Sequence, residues 1–245
     1  YKDGLIYVKY TNLEDVFEWE VLYLTENGEK NLFSGTCKDF LLLPSLTLLN
    51  EVPVSLWIND KEGTSGMNTM SDLEVKTVVK KDTNWLMNTT IATNYDEICF
   101  AVRGDSKYAE LVVANEAGIV SQVRVDGKIN SYALTKDYIL CGLRDWEETG
   151  KCHILRYDFK ADEKENFSTQ GELYRMCGGT KNDALCVDMH FNIYRIDGDA
   201  GRLEKINGVF GFANMPVVFR PIFDNQVICA YLKDDIYSYY LLRLE

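Results

Sequence analysis

Histidine and proline are scarce in this chain of 245 residues, with only two His and four Pro, and no run of lysine and arginine relieves its acidic surplus. His153 and His190 are the whole supply of imidazole, and neither is accompanied by a Gly-x-Ser-x-Gly elbow, so a Ser-His-Asp hydrolase is not supported. Twenty-six basic against 38 acidic residues give a formal net charge of −12. Without a basic stripe there is nothing to track phosphates, which excludes nucleic acid as a partner and argues against an anionic membrane surface. Long apolar runs are also missing. The longest, around Phe40 to Leu49, is cut by Pro44, Ser45 and Thr47 and falls far short of the ~20 residues a spanning helix needs, so no membrane insertion is expected. No Gly-x-x-x-x-Gly-Lys-Ser/Thr loop and no Gly-x-Gly-x-x-Gly occurs, so no nucleotide cofactor is implied. Asp197-Gly198-Asp199 with Glu204 lacks the spacing of an EF-hand and reads as a hairpin turn. The expected assignment is therefore no catalytic, cofactor-binding or metal residue. No Gly/Ser-rich or Pro-rich linker divides the chain, which is read as one domain. It opens at Tyr1 without a basic and apolar leader, as a mature fragment or excised domain would.

What the sequence does contain is a repeat. Four of the seven cysteines lie in strand-like apolar runs, Ile98-Cys99-Phe100, Leu140-Cys141-Gly142, Leu185-Cys186-Val187 and Ile228-Cys229-Ala230, at intervals of 42, 45 and 43 residues. An aliphatic residue followed by so rare an amino acid, recurring in phase, marks an internal period. The phase extends back to Pro53–Ile58 and to Leu5–Tyr10. A second strand follows each copy, as in Ile154-Leu155-Arg156-Tyr157, Ile193-Tyr194-Arg195-Ile196 and Leu241-Leu242-Arg243-Leu244, and then come turns such as Glu26-Asn27-Gly28 and Asn115-Glu116-Ala117-Gly118. A third strand and a shorter fourth complete each unit. Four short antiparallel strands per ~40 to 50 residues predict an all-β propeller of about six blades, with five or seven as alternatives. The approximate blades are 1–36, 37–84, 85–127, 128–178, 179–208 and 209–245. The stretch from Asp60 to Met87 fits least well: Lys61–Gly66 reads as loop, whereas Leu73, Val75, Thr77 and Val79 alternate as a strand does. Cysteine at the repeated position is expected to act as a small buried hydrophobe on inner strands. Cys37, Cys152 and Cys177 fall outside the phase, and a disulfide among them is left open.

Asn192-Ile193-Tyr194-Arg195-Ile196-Asp197-Gly198-Asp199-Ala200-Gly201-Arg202-Leu203-Glu204-Lys205-Ile206 resembles the repeat of TolB-type and YWTD-like β-propellers. Asp3-Gly4-Leu5-Ile6-Tyr7-Val8 looks like that family's strand opening, and Glu172-Leu173-Tyr174-Arg175-Met176 echoes the pattern out of phase. The Tyr-Trp-Thr-Asp tetrapeptide, the Gly-His and Trp-Asp pairs and the sialidase Ser-x-Asp-x-Gly-x-Thr-Trp box are absent. The resemblance implies a six-bladed scaffold, secreted or cell-envelope associated in bacterial relatives, used mostly for binding proteins or ligands.

Two functional readings result. The first is a non-catalytic, monomeric, extracytoplasmic module that recognises a protein or carbohydrate ligand through its loop faces or funnel rim. The second is a carbohydrate-active hydrolase or lyase with carboxylates in the funnel, for which Asp96, Glu97, Asp137, Asp183 and Asp224, each near the start of an inner strand, are the candidates. Tyr237, Tyr239 and Tyr240, with Trp19, Trp57, Trp85 and Trp146, could furnish binding platforms, or could simply pack between strands.

Overall fold

The computed structural model describes residues 1, 3–104, 108–144, 152–169, 171–178, 181–188, 190, 192–206, 218–223, 226–233 and 236–243. Among them six antiparallel sheets follow one another along the chain, with no α-helix. The first sheet contains β1 (Leu5–Leu13), β2 (Val16–Thr25) and β3 (Gly28–Cys37). A 3-10 turn over Phe40–Leu42 leads to the second, β4 (Ser45–Leu49), β5 (Val52–Asn59), β6 (Thr64–Ser71) and β7 (Glu74–Asp82). The third contains β8 (Ala92–Thr93), β9 (Ile98–Arg103), β10 (Ala109–Asn115) and β11 (Gly118–Val125). The fourth contains β12 (Lys128–Leu134), β13 (Tyr138–Arg144), β14 (Cys152–Asp158) and β15 (Glu163–Thr169). In the fifth are β16 (Leu173–Cys177), β17 (Asp183–Asp188), β18 (Ile193–Asp197) and β19 (Arg202–Lys205). The sixth has β20 (Val218–Phe223), β21 (Gln226–Lys233) and β22 (Ile236–Arg243). Each sheet runs in chain order, strand beside strand. Successive small meanders of this kind, one per repeat, make the fold a β-propeller.

Local chemistry sets the hairpins. Gly28 and Gly118 take φ of 113° and 139° in the turns that open β3 and β11, values that a side chain would strain. The repeated cysteines fall on the second strand of four consecutive sheets. Cys141 pairs with Tyr132 and Leu155, Cys186 with Met176 and Tyr194, Cys229 with Phe219 and Tyr240, and Cys99 with Val113. All four are fully buried. In the second sheet Val54-Ser55-Leu56 stands at the matching point, with Ser55 as the small buried residue. None of the seven cysteines is in a disulfide, and Cys37, Cys152 and Cys177 are buried as well.

Two compact units are distinguished, residues 1–91 with 95–124, and residues 92–94 with 125–245. In the first unit Trp19, Val21, Cys37, Trp57 and Met70 form one core, and a second gathers Leu56, Ile58, Met67, Ile98, Phe100 and Val112 among others. Trp19 also donates its indole N–H to the Ile58 carbonyl at 3.1 Å, satisfying the one polar group that its burial would strand. In the second unit Ala133, Leu140, Ile154, Met176, Cys186 and Ile196 pack together. There the leading strands of consecutive sheets lie side by side, β8 against β12, β12 against β16 and β16 against β20. The cysteine strands are therefore second in their sheets, one place removed from the strands that the sheets turn toward each other. From the second sheet on, the first strand is no longer than the second and is partly polar, which is why the apolar cysteine run looks like the leading one. Leu173–Cys177 pairs with the Cys186 strand and so opens the fifth sheet, whereas the period alone groups it with residues 128–178.

Candidate functional site

Asp96, Glu97, Asp137 and Asp183 all sit where a first strand turns into a second. Asp224 lies outside the described residues. Asp137 accepts from Lys160 Nζ at 2.6 Å and from the Asn182 side-chain amide at 2.9 Å. The same amide nitrogen reaches Asp199 at 2.9 Å, so the two carboxylates converge to within roughly 5 Å. Convergence alone does not make an acid and base pair. The Lys160 hydrogen bond, then that of Asn182, hold the Asp137 carboxyl below its usual range, opposite to the shift a general acid needs. Asp183 is engaged by the Arg195 guanidinium. That pair lies within the fifth sheet, whereas Asp137 and Asp199 belong to a latch between the fourth and fifth sheets, completed by Asp137 N–H to Asn182 Oδ1 at 3.0 Å and Arg156 to the Gly198 carbonyl at 2.6 Å. His153 is the second residue of β14, opposite Leu143 and Ser168, and His190 is exposed in the turn after Asp188, to which its backbone N–H donates.

Of the aromatic candidates, Trp19 and Trp57 are buried, and Trp85 packs edge-on against Phe100 at 5.5 Å. They are core. Trp146 lies outside the described residues. Tyr239 and Tyr240 are exposed on β22.

A different group is gathered in the first unit. Tyr10 near the end of β1, Phe17 at the start of β2 and Phe40 of the 3-10 turn form a triangle of rings, with centroids 6.1, 5.5 and 6.2 Å apart. The turn is fixed from both sides. Asp39 caps it by accepting from Leu41 N–H at 2.9 Å, and the Thr89 hydroxyl donates to the Leu43 carbonyl at 2.6 Å. Yet the side chains are left in solvent: Tyr10 is 48% exposed, Leu13 49%, Phe40 54% and Leu41 73%. Single exposed apolar residues are ordinary, but Tyr10 and Phe40 in ring contact, with Leu41 beside Phe40 on an anchored turn, are not.

Tyr10 also borders a cleft of about 560 Å³, lined by Lys9, Glu18, Glu20, Lys61 and Glu62. Gly35 opens its floor: a Cβ there would lie 2.4 Å from the Trp19 ring. The β5–β6 turn closes one side, held to β3 by Asp60 N–H to the Thr36 carbonyl at 2.8 Å and Lys38 N–H to the Asp60 carboxylate at 2.8 Å. Nearby, the Tyr7 hydroxyl donates to Glu29, whose carboxyl is lowered first by that bond and then by Lys9 at 3.6 Å. The result is a shelf of aromatic and aliphatic surface beside a groove of mixed charge.

No family model matches the chain, and no curated protein matches it. Solved structures of similar fold include Saccharomyces cerevisiae Sqt1, at 13% identity and TM-score 0.57, covering 98% of this chain and 72% of that one. An acylaminoacyl peptidase of Pyrococcus horikoshii aligns at 13% identity and TM-score 0.60 over 98% of this chain. The chain spans 46% of that peptidase's length. The β-propeller domain of the Trilobed protease from Pyrococcus furiosus, described as having an open velcro topology, aligns at 11% identity and TM-score 0.60, covering 100% of this chain and 84% of that one. At these identities the likeness is one of fold.

Proposed function

We propose that this β-propeller is a non-catalytic binding module that recognises a protein partner at the aromatic end of its first sheet. The observation that carries the reading is the exposed pair of Tyr10 and Phe40, in ring contact beside exposed Leu41 on the capped turn. Exposing such surface costs solubility unless a partner covers it. Aromatic anchors beside a polar rim are also the usual anatomy of an interface. An extracytoplasmic location, which rests on the family resemblance, and a monomeric state complete the reading.

Phe40→Ser with Leu41→Ser is the direct test. Both side chains are exposed, so thermal stability should stay within about 0.5 kcal/mol of wild type, while a partner cross-linked by the wild-type protein in its native source should be lost. Retention of that partner by the double variant overturns the reading. A glycan array run in parallel tests the carbohydrate alternative, which Tyr10 would serve as a stacking face.

A second reading has its own support. Because the chain covers only 46% of the acylaminoacyl peptidase it resembles in fold, the propeller could serve as the accessory domain of a longer enzyme. Flanking sequence that encodes a hydrolase domain would favour it.

A further inference from the structure

We infer that the cleft beside β3 is a binding site for a neutral, polyhydroxylated ligand, a saccharide, held by the side-chain amide of Asn59 and the carboxylate of Glu18. The inference goes beyond the protein-binding reading and does not rest on it, since it concerns the groove and not the exposed rings.

At about 560 Å³ the cleft has the size of a small-molecule site, ~300–1,000 Å³. Such sites are ordinarily lined by apolar side chains with a few polar groups, and here the polar groups predominate. Alternation along β2 and β3 sets Glu18 opposite Thr36 and Glu20 opposite Ser34 on one face of the first sheet, and Lys61 of the β5–β6 turn borders the same space. Asn59, the last residue of β5, is the buried member, 6% exposed. Its orientation is fixed. The side-chain Oδ1 accepts the Thr36 N–H at 3.3 Å, and because that partner can only donate, the group left over is the amide NH2. Among the described residues this NH2 donates to no protein group. A buried donor left unmet is costly, so its acceptor must come from the cleft. Gly35 makes the placement possible, because a Cβ there would lie 2.9 Å from Asn59 Cγ.

The remaining groups select the occupant. Lys9 is taken by Glu29 at 3.6 Å, Glu62 faces Lys80 at 4.0 Å, and Glu20 accepts from the Asn31 amide at 2.7 Å. Among the described residues the side chains of Glu18 and Lys61 have no partner. A carboxylate asks for a donor, whereas an amide NH2 and an ammonium ask for acceptors, and opposite charges in one cleft favour neither an anion nor a cation. A hydroxyl meets both demands from one atom. A peptide backbone also carries donors and acceptors, but the edge of β3 with which it would pair is already used: Thr36 donates its N–H to Asn59 and accepts the Asp60 N–H at 2.8 Å on its carbonyl. A saccharide, with several adjacent hydroxyls and no charge, is the class that fits.

The test follows the Asn59 side-chain amide by 15N–1H NMR while cellobiose, maltose, lactose and N,N′-diacetylchitobiose are each titrated into the whole chain. At least one of these sugars should shift that resonance saturably. Asn59→Asp keeps the acceptor for the Thr36 N–H and turns the donor into an oxygen, and it should weaken the binding about tenfold or more. Glu18 is exposed, so Glu18→Gln leaves the fold alone and should weaken binding about three- to tenfold; it carries the test if Asn59→Asp does not fold. Absence of a saturable shift with every sugar, binding indifferent to the Glu18 substitution, or a shift produced by inorganic phosphate or tetra-alanine instead of the sugars would each overturn the inference. Failure here is separable from failure of the protein-binding reading, because Phe40→Ser with Leu41→Ser should leave the affinity for the sugar unchanged.

Discussion

Gly178 stands against Leu134 so closely that a Cβ built on it would lie 2.2 Å from the Leu134 carbonyl oxygen. The contact joins the residue after β16 to the last residue of β12, where two leading strands run side by side. Gly178→Ala must push those strands apart, with a cost of about 1–3 kcal/mol. Gly171→Ala, with nothing within 4 Å of the added carbon, should stay within about 0.5 kcal/mol of wild type. Urea denaturation of both variants checks the contrast, and equal midpoints would refute the close approach.

The cysteines supply a prediction about alkali. Burial pushes the Cys37 thiol up to about 11 and the Cys229 thiol up to about 12, and raises Cys141 and Cys186 as well. A raised thiol pKa means that the folded state holds its proton in a range where the unfolded chain, near 9.0, gives it up. The contribution to stability is therefore full below pH 9.0 and is lost as pH rises through 11 to 12. Stability measured from pH 8 upward should fall across that window, and in the native state at neutral pH a thiol reagent should label Cys99, Cys141, Cys186 and Cys229 far more slowly than in denaturant. Rapid native labelling would contradict their burial.

Among the described residues of the second unit, Asp188 accepts four hydrogen bonds. It accepts from the backbone N–H groups of His190 at 2.8 Å and Asn192 at 2.9 Å, from the Asn192 amide at 2.8 Å and from the Tyr194 hydroxyl at 3.0 Å. Desolvation pushes its pKa up, but the Asn192, Tyr194 and His190 donors outweigh that and leave it lowered. The stabilisation it gives is present above the ordinary value of 3.8 and is lost as pH falls through the folded value. Asp188→Asn should cost about 1–3 kcal/mol at neutral pH and flatten the acid limb of the stability curve, while Tyr194→Phe should cost about 1 kcal/mol. Acid titration of stability for all three proteins decides it, and an unchanged acid limb in Asp188→Asn would count against the role.

The propeller is legible in the sequence because a buried position with room for only a small residue recurs once per sheet and is filled four times by a rare amino acid. Sheet boundaries are less so. A period says how often the pattern returns and not which strand comes first, hence the reading of Leu173–Cys177 as out of phase. The strand β6 is hidden for a different reason. Thr64-Ser65-Gly66-Met67-Asn68-Thr69 has the composition of a loop, but Ser65, Asn68 and Thr69 are buried, and Gly66 is crowded by the Val79 carbonyl, 2.1 Å from where a Cβ would be. Tertiary packing overrides local preference there. The aromatic shelf escapes sequence reasoning because Tyr10, Phe17 and Phe40 come from three elements and meet only in the fold. One signal was available: Phe40-Leu41-Leu42-Leu43 is an apolar run that directly follows the capping Asp39, in a connection too short to bury it.

The polar interior of the second sheet has a consequence for the groove beside it. Among the described residues, the buried side-chain atoms without a hydrogen-bond partner are Trp57 Nε1, Thr64 Oγ1, Asn68 Oδ1 and Asn130 Nδ2, and three of these four lie on β5 and β6. Buried polar groups without a protein partner are the places where an internal water is accommodated. The hairpin between β5 and β6 forms one wall of the cleft at Lys61 and Glu62. That wall therefore rests on strands whose interior is partly polar, whereas the turn bearing Phe40 is capped by Asp39 and held by Thr89.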